Sequence, residues 1–378
     1  MVIITTIQFV LMTTLYMLQC QGAVVPTNSN KVLPMDFEVT YRDYNDNDVA
    51  KFKRDYIKAD LKHRKSFYTT QIKFGPKQNN VKAVIDTGSS DLWWWWGRGV
   101  AKKNGIGEGV YSVEKSKTAS RLNTSFEIEY PDGTIASGKY VQDSIYFGNK
   151  RSIYKQQFAV VNKTSAPMGV LGVGVGFGEA TAAANSNYDG FVYNLKNQGI
   201  IGKAAYSIYL PEKKRKSGTI LFGGEMMRSK YSGNLTTYSV TSNKLSVPLK
   251  SVSLHDKEFQ NDTDTYINSG SRYSYLPTSI VQGKKHSEIQ SFNFANDTTI
   301  QTPVSYFVYR LKNIKNRVPD HAKNHCGLSI FPTTDNAYGN TILGDDFLKC
   351  AYLSVNLEKK TVGLAQVVHS KHHSYQSL

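Results

Sequence analysis

Three cysteines in 378 residues exclude a disulfide-built scaffold. Acidic residues are also in short supply: 30 Asp and Glu stand against 46 Lys and Arg, a formal net charge of +16. No basic helix concentrates that charge and no nucleic-acid module accompanies it, so no nucleic acid is expected as a partner. The surplus suits an anionic surface such as cell-surface material, an acidic substrate, or simply a soluble basic exterior. The C-terminal end, Ser370 to Leu378, is polar, so neither a lipid anchor nor a second apolar span is expected there. His369, His372 and His373 lie in or beside this end and read as part of a solvated tail rather than as metal ligands.

What the chain does have is β-forming material. It carries 24 Tyr, 17 Phe and a 40% hydrophobic fraction, with room for one large domain or two ordinary ones. Val2 to Leu18 are mostly apolar and uncharged and lead into Gln19-Cys20-Gln21-Gly22-Ala23, the pattern of a signal peptide spanning residues 1–22. An uncleaved anchor is the alternative. Sequons at Asn123, Asn162, Asn234, Asn261 and Asn296 fit a secreted, extracellular chain. From Val24 to about Arg64 the composition is charged and irregular. Lys53-Arg54 is the best of its basic processing sites, and the stretch reads either as a flexible linker or as a propeptide over residues 23–66.

After Phe67 the pattern becomes that of strands. Ala83-Val84-Ile85 runs straight into Asp86-Thr87-Gly88-Ser89-Ser90-Asp91-Leu92-Trp93, as a buried strand delivering a carboxylate to a tight turn would. This stretch resembles, residue for residue, the first active-site signature of the pepsin-like aspartic proteases. That resemblance implies an all-β, bilobal fold with a central substrate cleft under a β-hairpin flap. It covers a domain at residues 67–368, divided into an N-lobe at about 67–210 and a C-lobe at about 211–368, with a polar tail at 369–378. Leu33-Pro34-Met35-Asp36-Phe37-Glu38-Val39 is similar to the short basic propeptide of secreted yeast members, which occupies an acidic cleft until carboxylates protonate.

Further matches follow along the chain. Phe126 to Thr134 and Gly138 to Tyr140 read as a hairpin, and Tyr130 falls where the family has its flap tyrosine. Pro131 stands where the family usually has glycine and removes a backbone donor. One tryptophan fits the pattern at residue 93; the run Trp93 to Trp96 has three more, for which an exposed aromatic patch is the only available reading. Met168-Gly169-Val170-Leu171-Gly172-Val173-Gly174 resembles the apolar segment that packs behind the aspartate loop, and Thr341-Ile342-Leu343-Gly344 repeats it. Gly172 lies 86 residues beyond Asp86, and counting 76 back from Gly344 reaches Ile267-Asn268-Ser269-Gly270-Ser271. The second aspartate of the family is here Asn268. The ending, with Ala351-Tyr352 and Leu364-Ala365-Gln366, is similar to the candidapepsin branch.

In this family two adjacent carboxylates share one proton, because both cannot ionise side by side. One activates water and the other polarises the scissile carbonyl. Asp86 is able to be one partner; Asn268 donates a hydrogen bond but cannot lose and regain a proton. Thr87, Gly88, Ser89, Gly270 and Ser271 complete the expected cleft with Tyr130. Arg272 would set a guanidinium beside the cleft and lower the Asp86 pKa. Cys326 matches half of the family's C-terminal disulfide, and Cys350 is the substitute partner. No cofactor and no metal are expected. The chain is expected to act as a monomer on an extended peptide or protein substrate. Three functions stay open: an aspartic endopeptidase of weakened activity, with deamidation of Asn268 as one route to rescue; a pseudoprotease that binds peptide; and a cell-wall-binding protein with a vestigial cleft.

Overall fold

The computed structural model describes residues 32–42, 65–76, 79–96, 111–130, 133–147, 151–166, 168–176, 180, 188–210, 217–226, 228–254, 257–261, 263–281, 289–310, 326–335, 340–369 and 375–377. The apolar run at 1–22, the basic clusters between residues 51 and 64, Pro131, His372 and His373 lie outside these residues.

Strands dominate, as the aromatic and β-branched content requires. The first half contributes β1 (Leu33–Arg42), β2 (Lys65–Phe74), β3 (Asn79–Asp86), β4 (Leu92–Trp95), β5 (Ser120–Glu129), β6 (Ile135–Tyr146), β7 (Ser152–Thr164) and β8 (Gly169–Gly172). Helix α1 (Phe191–Asn197) then buries Phe191, Val192 and Leu195, a single face at helical spacing. After it come β9 (Ala205–Tyr209), β10 (Ser217–Phe222) and β11 (Gly224–Met226). The second half adds β12 (Tyr231–Ser239), β13 (Ser246–Leu254), β14 (Lys257–Gln260), β15 (Asp264–Ile267) and β16 (Ser274–Leu276), then the short helix α2 (Thr278–Val281). Next are β17 (Ile289–Phe294), β18 (Thr298–Gln301), β19 (Val308–Arg310), β20 (Cys326–Leu328), β21 (Ile330–Pro332), β22 (Ile342–Leu343) and helix α3 (Asp345–Leu348). The chain ends with β23 (Ala351–Asn356), β24 (Thr361–Val367) and β25 (Tyr375–Ser377).

Two large sheets define two lobes. One holds thirteen strands in the order β12-β24-β23-β9-β10-β1-β2-β3-β8-β4-β7-β6-β5. The other runs β18-β17-β13-β15-β22-β16-β21, with β14 added on β13. The late strands β23 and β24 return to pair with β9 and β12, so one sheet ties both halves of the chain together.

Residues 33–42 are an internal strand. β1 lies between β10 and β2, with Leu33 opposite Phe222 and Glu38 opposite Thr69. Phe37 is buried edge-on against Tyr68, over Gly218, where a methyl group would sit 2.3 Å from the ring. The Thr70 hydroxyl donates to the Asp36 carbonyl and the Thr219 hydroxyl to its carboxylate, each at 2.9 Å. The end of the chain is likewise paired, β25 with β11.

The tryptophan run is not an exposed patch. β4 sits between β7 and β8, and Trp93, Trp94 and Trp95 are fully buried. A strand covered on both faces needs apolar residues at every position, which is why the run does not alternate. Gly169 makes room for it: a methyl there would lie 1.8 Å from the Trp94 ring. Only Trp96 reaches solvent, beneath the Arg121 guanidinium at 5.3 Å.

The expected Cys326–Cys350 bridge is not formed. Cys350 is a free thiol in the apolar core with Phe347 and Leu348. Burial, with the Asp346 charge adding to it, pushes that thiol up to about 12. Cys326 instead opens β20, opposite Arg310.

Of the five sequons, Asn123, Asn162, Asn234 and Asn296 are exposed. Asn261 is buried, and its amide donates to the Leu249 and Thr263 carbonyls at 2.9 and 3.0 Å. A glycan there would break both bonds and block the strand packing. Glycopeptide mapping of the chain expressed through a eukaryotic secretory pathway will therefore find Asn261 unmodified, whatever the occupancy of the other four.

Candidate active site

Ala83, Val84 and Ile85 are apolar because β3 is buried on both faces; the strand lies parallel to β8 with Asp86 opposite Gly172. The second half repeats the device. β15 runs parallel to β22 with Ile267 opposite Leu343, and Asn268 follows immediately. Each glycine lets the neighbouring turn approach. A methyl on Gly172 would sit 2.6 Å from the Asp91 carbonyl oxygen, and one on Gly344 would sit 2.4 Å from that of Tyr273.

The two turns lock across the lobes. The Thr87 hydroxyl donates to the Ile267 carbonyl at 3.0 Å and accepts from the Ser269 N–H at 2.9 Å. The Ser269 hydroxyl donates to the Ile85 carbonyl at 2.8 Å and accepts from the Thr87 N–H at 3.0 Å. All four bonds are buried, where an unmade bond is costly.

This lock brings residues 86 and 268 face to face. Asp86 is 5% exposed; its Oδ1 accepts from the Gly88 N–H at 2.8 Å and its Oδ2 from the Ser89 hydroxyl at 2.5 Å. Asn268 Oδ1 accepts from the N–H groups of Gly270 and Ser271 at 2.7 and 3.2 Å. A methyl on Gly88 would lie 2.5 Å from Asn268 Nδ2, and one on Gly270 would lie 2.5 Å from Asp86 Oδ1. Each side chain thus occupies the space left by the other lobe's missing Cβ.

The β5–β6 hairpin closes one side. At its bend the Tyr130 N–H donates to the Thr134 carbonyl at 2.8 Å. The Tyr130 hydroxyl accepts from the Trp93 indole N–H at 2.8 Å and lines the same cavity as Ser89, whose hydroxyl donates to Asp86. Burial, reinforced by the Asp86 charge, holds the Tyr130 pKa well above its ordinary value, so the phenol stays neutral. Trp93 is therefore the tryptophan of the run that serves the site.

Between hairpin and turns lies a cavity of about 310 Å³ containing Asp86, Gly88, Ser89, Tyr130 and Asn268. Sequence reasoning did not single out Glu127 and Glu129 on the hairpin, or Lys244, Tyr266 and Asn340 opposite, all of which line it. Lys244 arrives through a backbone bond from the Ile267 N–H to the neighbouring Leu245 carbonyl, a pairing across 22 residues that no local motif marks. Ser271 donates its hydroxyl to the Tyr273 carbonyl at 2.8 Å and its N–H to Asn268, supporting the second turn from behind. Arg272 does not line the cavity: its guanidinium lies over the Tyr273 ring at 5.4 Å.

Behind the second turn sits a buried carboxylate. Asp346 accepts from the hydroxyls of Ser274 and Ser329 at 2.5 and 2.7 Å. Ser274 in turn accepts from the Gly344 N–H at 3.1 Å. Burial raises the Asp346 pKa to about 6 despite these donors.

Two β lobes that present matching turns to one cleft, interlocked by paired hydroxyls, define the pepsin-like class of aspartic proteases. The chain belongs to the eukaryotic aspartyl protease family, whose model matches residues 67–367. It is 34% identical over 385 residues to secreted aspartic protease 5 of Candida albicans, covering 91% of this chain and 88% of that protein. It is 35% identical over 352 residues to candidapepsin-3 of the same species, covering 84% of each. Among solved structures, the aspartic proteinase from Irpex lacteus superposes with a TM-score of 0.65 over 81% of this chain and 95% of that one. At 17% identity that likeness concerns the fold.

Two outcomes are expected. Thr87→Val keeps the side-chain shape but leaves the Ile267 carbonyl and the Ser269 N–H unpaired; urea unfolding will show a loss of about 2–4 kcal/mol, and Thr87→Ser much less. The Asp346 pKa is raised on folding, so its contribution is most favourable below about pH 4 and is lost as pH rises through about 6. Asp346→Asn will shrink the stability difference between pH 4 and pH 7 by about 2 kcal/mol, read from urea midpoints at both values.

Proposed function

We propose that the chain is a secreted protein that holds an extended peptide in the cleft between its lobes, and that hydrolysis there is slow or lost. One observation carries this reading: the partner of Asp86 is an amide. Asp86 is placed to take a proton from a water molecule. Asn268, with its oxygen held by two backbone N–H groups, turns its NH₂ toward Gly88 and can donate to a peptide carbonyl. It has no proton to release, so the transfer that completes amide cleavage loses one of its two carriers. Losing one member of a cooperating pair costs orders of magnitude in rate.

Deamidation offers no easy rescue. It would require the Ser269 nitrogen to attack the Asn268 side chain, but that N–H is held by Thr87 in a buried bond. Secretion is supported by the apolar run at 1–22, the exposed sequons and the likeness to secreted aspartic proteases of Candida albicans. The β5–β6 hairpin acts as the flap, with Tyr130 and its Trp93 partner fixing the wall of the cleft over Asp86. Among extended ligands, a strand-like peptide suits a groove flanked by a hairpin edge.

The test compares cleavage of a denatured protein substrate from pH 3 to 7 by the mature chain, Asn268→Asp and Asp86→Asn, with peptide binding measured in parallel. Expected are saturable binding by the parent, little or no cleavage, and cleavage at least about a hundredfold faster in Asn268→Asp. Parental cleavage at rates equal to Asn268→Asp, abolished in Asp86→Asn, would overturn the reading.

A further inference from the structure

The peptide cleft proposed above has an uneven charge lining, and this bears on which peptide it takes. Glu127 and Glu129 stand two residues apart on β5, so both point to the same side of the strand. Both are exposed, and both line the cavity that holds Asp86 and Asn268. Neither forms an ion pair or a side-chain hydrogen bond among the described residues, whereas Glu114, nearby on the same lobe, is bound to Arg121. Between them Ile128 turns the other way, against the cluster that contains Trp93 and Phe126. The strand is thus held by its apolar face while its two carboxylates are left to the cavity. The opposite wall differs: Lys244 lies there over the Tyr266 ring at 5.5 Å, beside Asn340 and Ile342.

Resting on the peptide-cleft reading, we propose that Glu127 and Glu129 select a peptide carrying a lysine or arginine side chain at the position that faces the hairpin. Three considerations favour a cationic side chain. The carboxylates have no ion-pair partner among the described residues, and with Asp86 they give this part of the cavity a negative charge that attracts a nearby cation. Their two-residue spacing lets one ammonium or guanidinium reach either carboxylate as the peptide runs along the strand. The remainder of the molecule carries the other sign. With a net charge of +16 the overall field repels a cationic peptide and attracts an anionic one, so a preference for basic peptides has to come from the local pair.

The experiment uses the full mature chain and fluorescein-labelled octapeptides of Val, Ala and Ser at pH 6. A single Lys is walked through all eight positions, with norleucine and Glu sets alongside, and binding is read by fluorescence anisotropy. One Lys register is expected to bind about tenfold tighter than its norleucine counterpart, and this advantage to fall to about twofold in Glu127→Gln/Glu129→Gln. In the unaltered protein the same advantage should shrink between 50 mM and 500 mM salt, a readout that needs no variant to fold. Equal binding of Lys and norleucine peptides in every register would overturn the proposal while leaving the peptide cleft intact. So would a Lys preference that survives the double substitution. An absence of binding and cleavage for all three sets would overturn both the proposal and the cleft reading beneath it.

Discussion

The structure depends on a reciprocal pair of hydroxyl groups. Thr87 and Ser269 each give one hydrogen bond to the other lobe's strand end and receive one from the other lobe's turn. Four buried bonds between residues some 180 positions apart leave the two turns little freedom to slide or tilt. Since residues 86 and 268 directly precede the pair, their approach follows from it. Two independent lobes could hold their own turns with equal rigidity and still fail to bring those side chains together. The long sheet that returns β23 and β24 to the first half supplies the coarse alignment, and the hydroxyl pair supplies the fine one.

Around that lock the residues divide by distance from the chemistry. Gly172 and Gly344 let the turns settle against the sheets, and Gly88 and Gly270 let each lobe's side chain enter the other's space. Trp93 holds the Tyr130 hydroxyl at the hairpin, and Ser89 holds the Asp86 carboxylate at the turn. The substitution of an amide at 268 leaves all of this standing, because Asn268 accepts from the same two backbone N–H groups that would hold a carboxylate oxygen. A proton inventory has changed while the scaffold has not. On the function proposed above, that combination retains binding and loses turnover.

The mutual position of the apolar segments shows how far linear reading reaches. Ala83-Val84-Ile85 before Asp86, and Ile342-Leu343 before Gly344, were legible as buried strands and loops because strand burial demands unbroken apolar runs. The hairpin was legible from its strand pattern, and Tyr130 from the resemblance to the family's flap tyrosine. Other features were read differently from how they fold. The tryptophan run looked exposed because nothing local says that β7 and β8 flank it on both sides. Residues 33–39 were legible only as a resemblance to a propeptide, which says nothing of the strand they form between β2 and β10, partners that lie up to about 190 residues away in sequence. Asn261 has a good sequon but a buried amide. Arg272 was expected beside Asp86 and instead stacks on Tyr273.

By itself, the sequence determined the two strand-turn units, their glycine companions, the replacement of an aspartate by Asn268 and the excess of positive charge. These depend on residue type, short-range periodicity and a repeated spacing, all of which survive in one dimension. Tertiary structure alone decided that Thr87 meets Ser269, that Cys350 stays a free thiol, and that Glu127 and Glu129 look across the cavity at Lys244. Those facts rest on side chains from distant segments converging in space. Convergence is set by sheet order and by the cost of leaving buried polar groups unpaired, and neither is written at any single position of the chain.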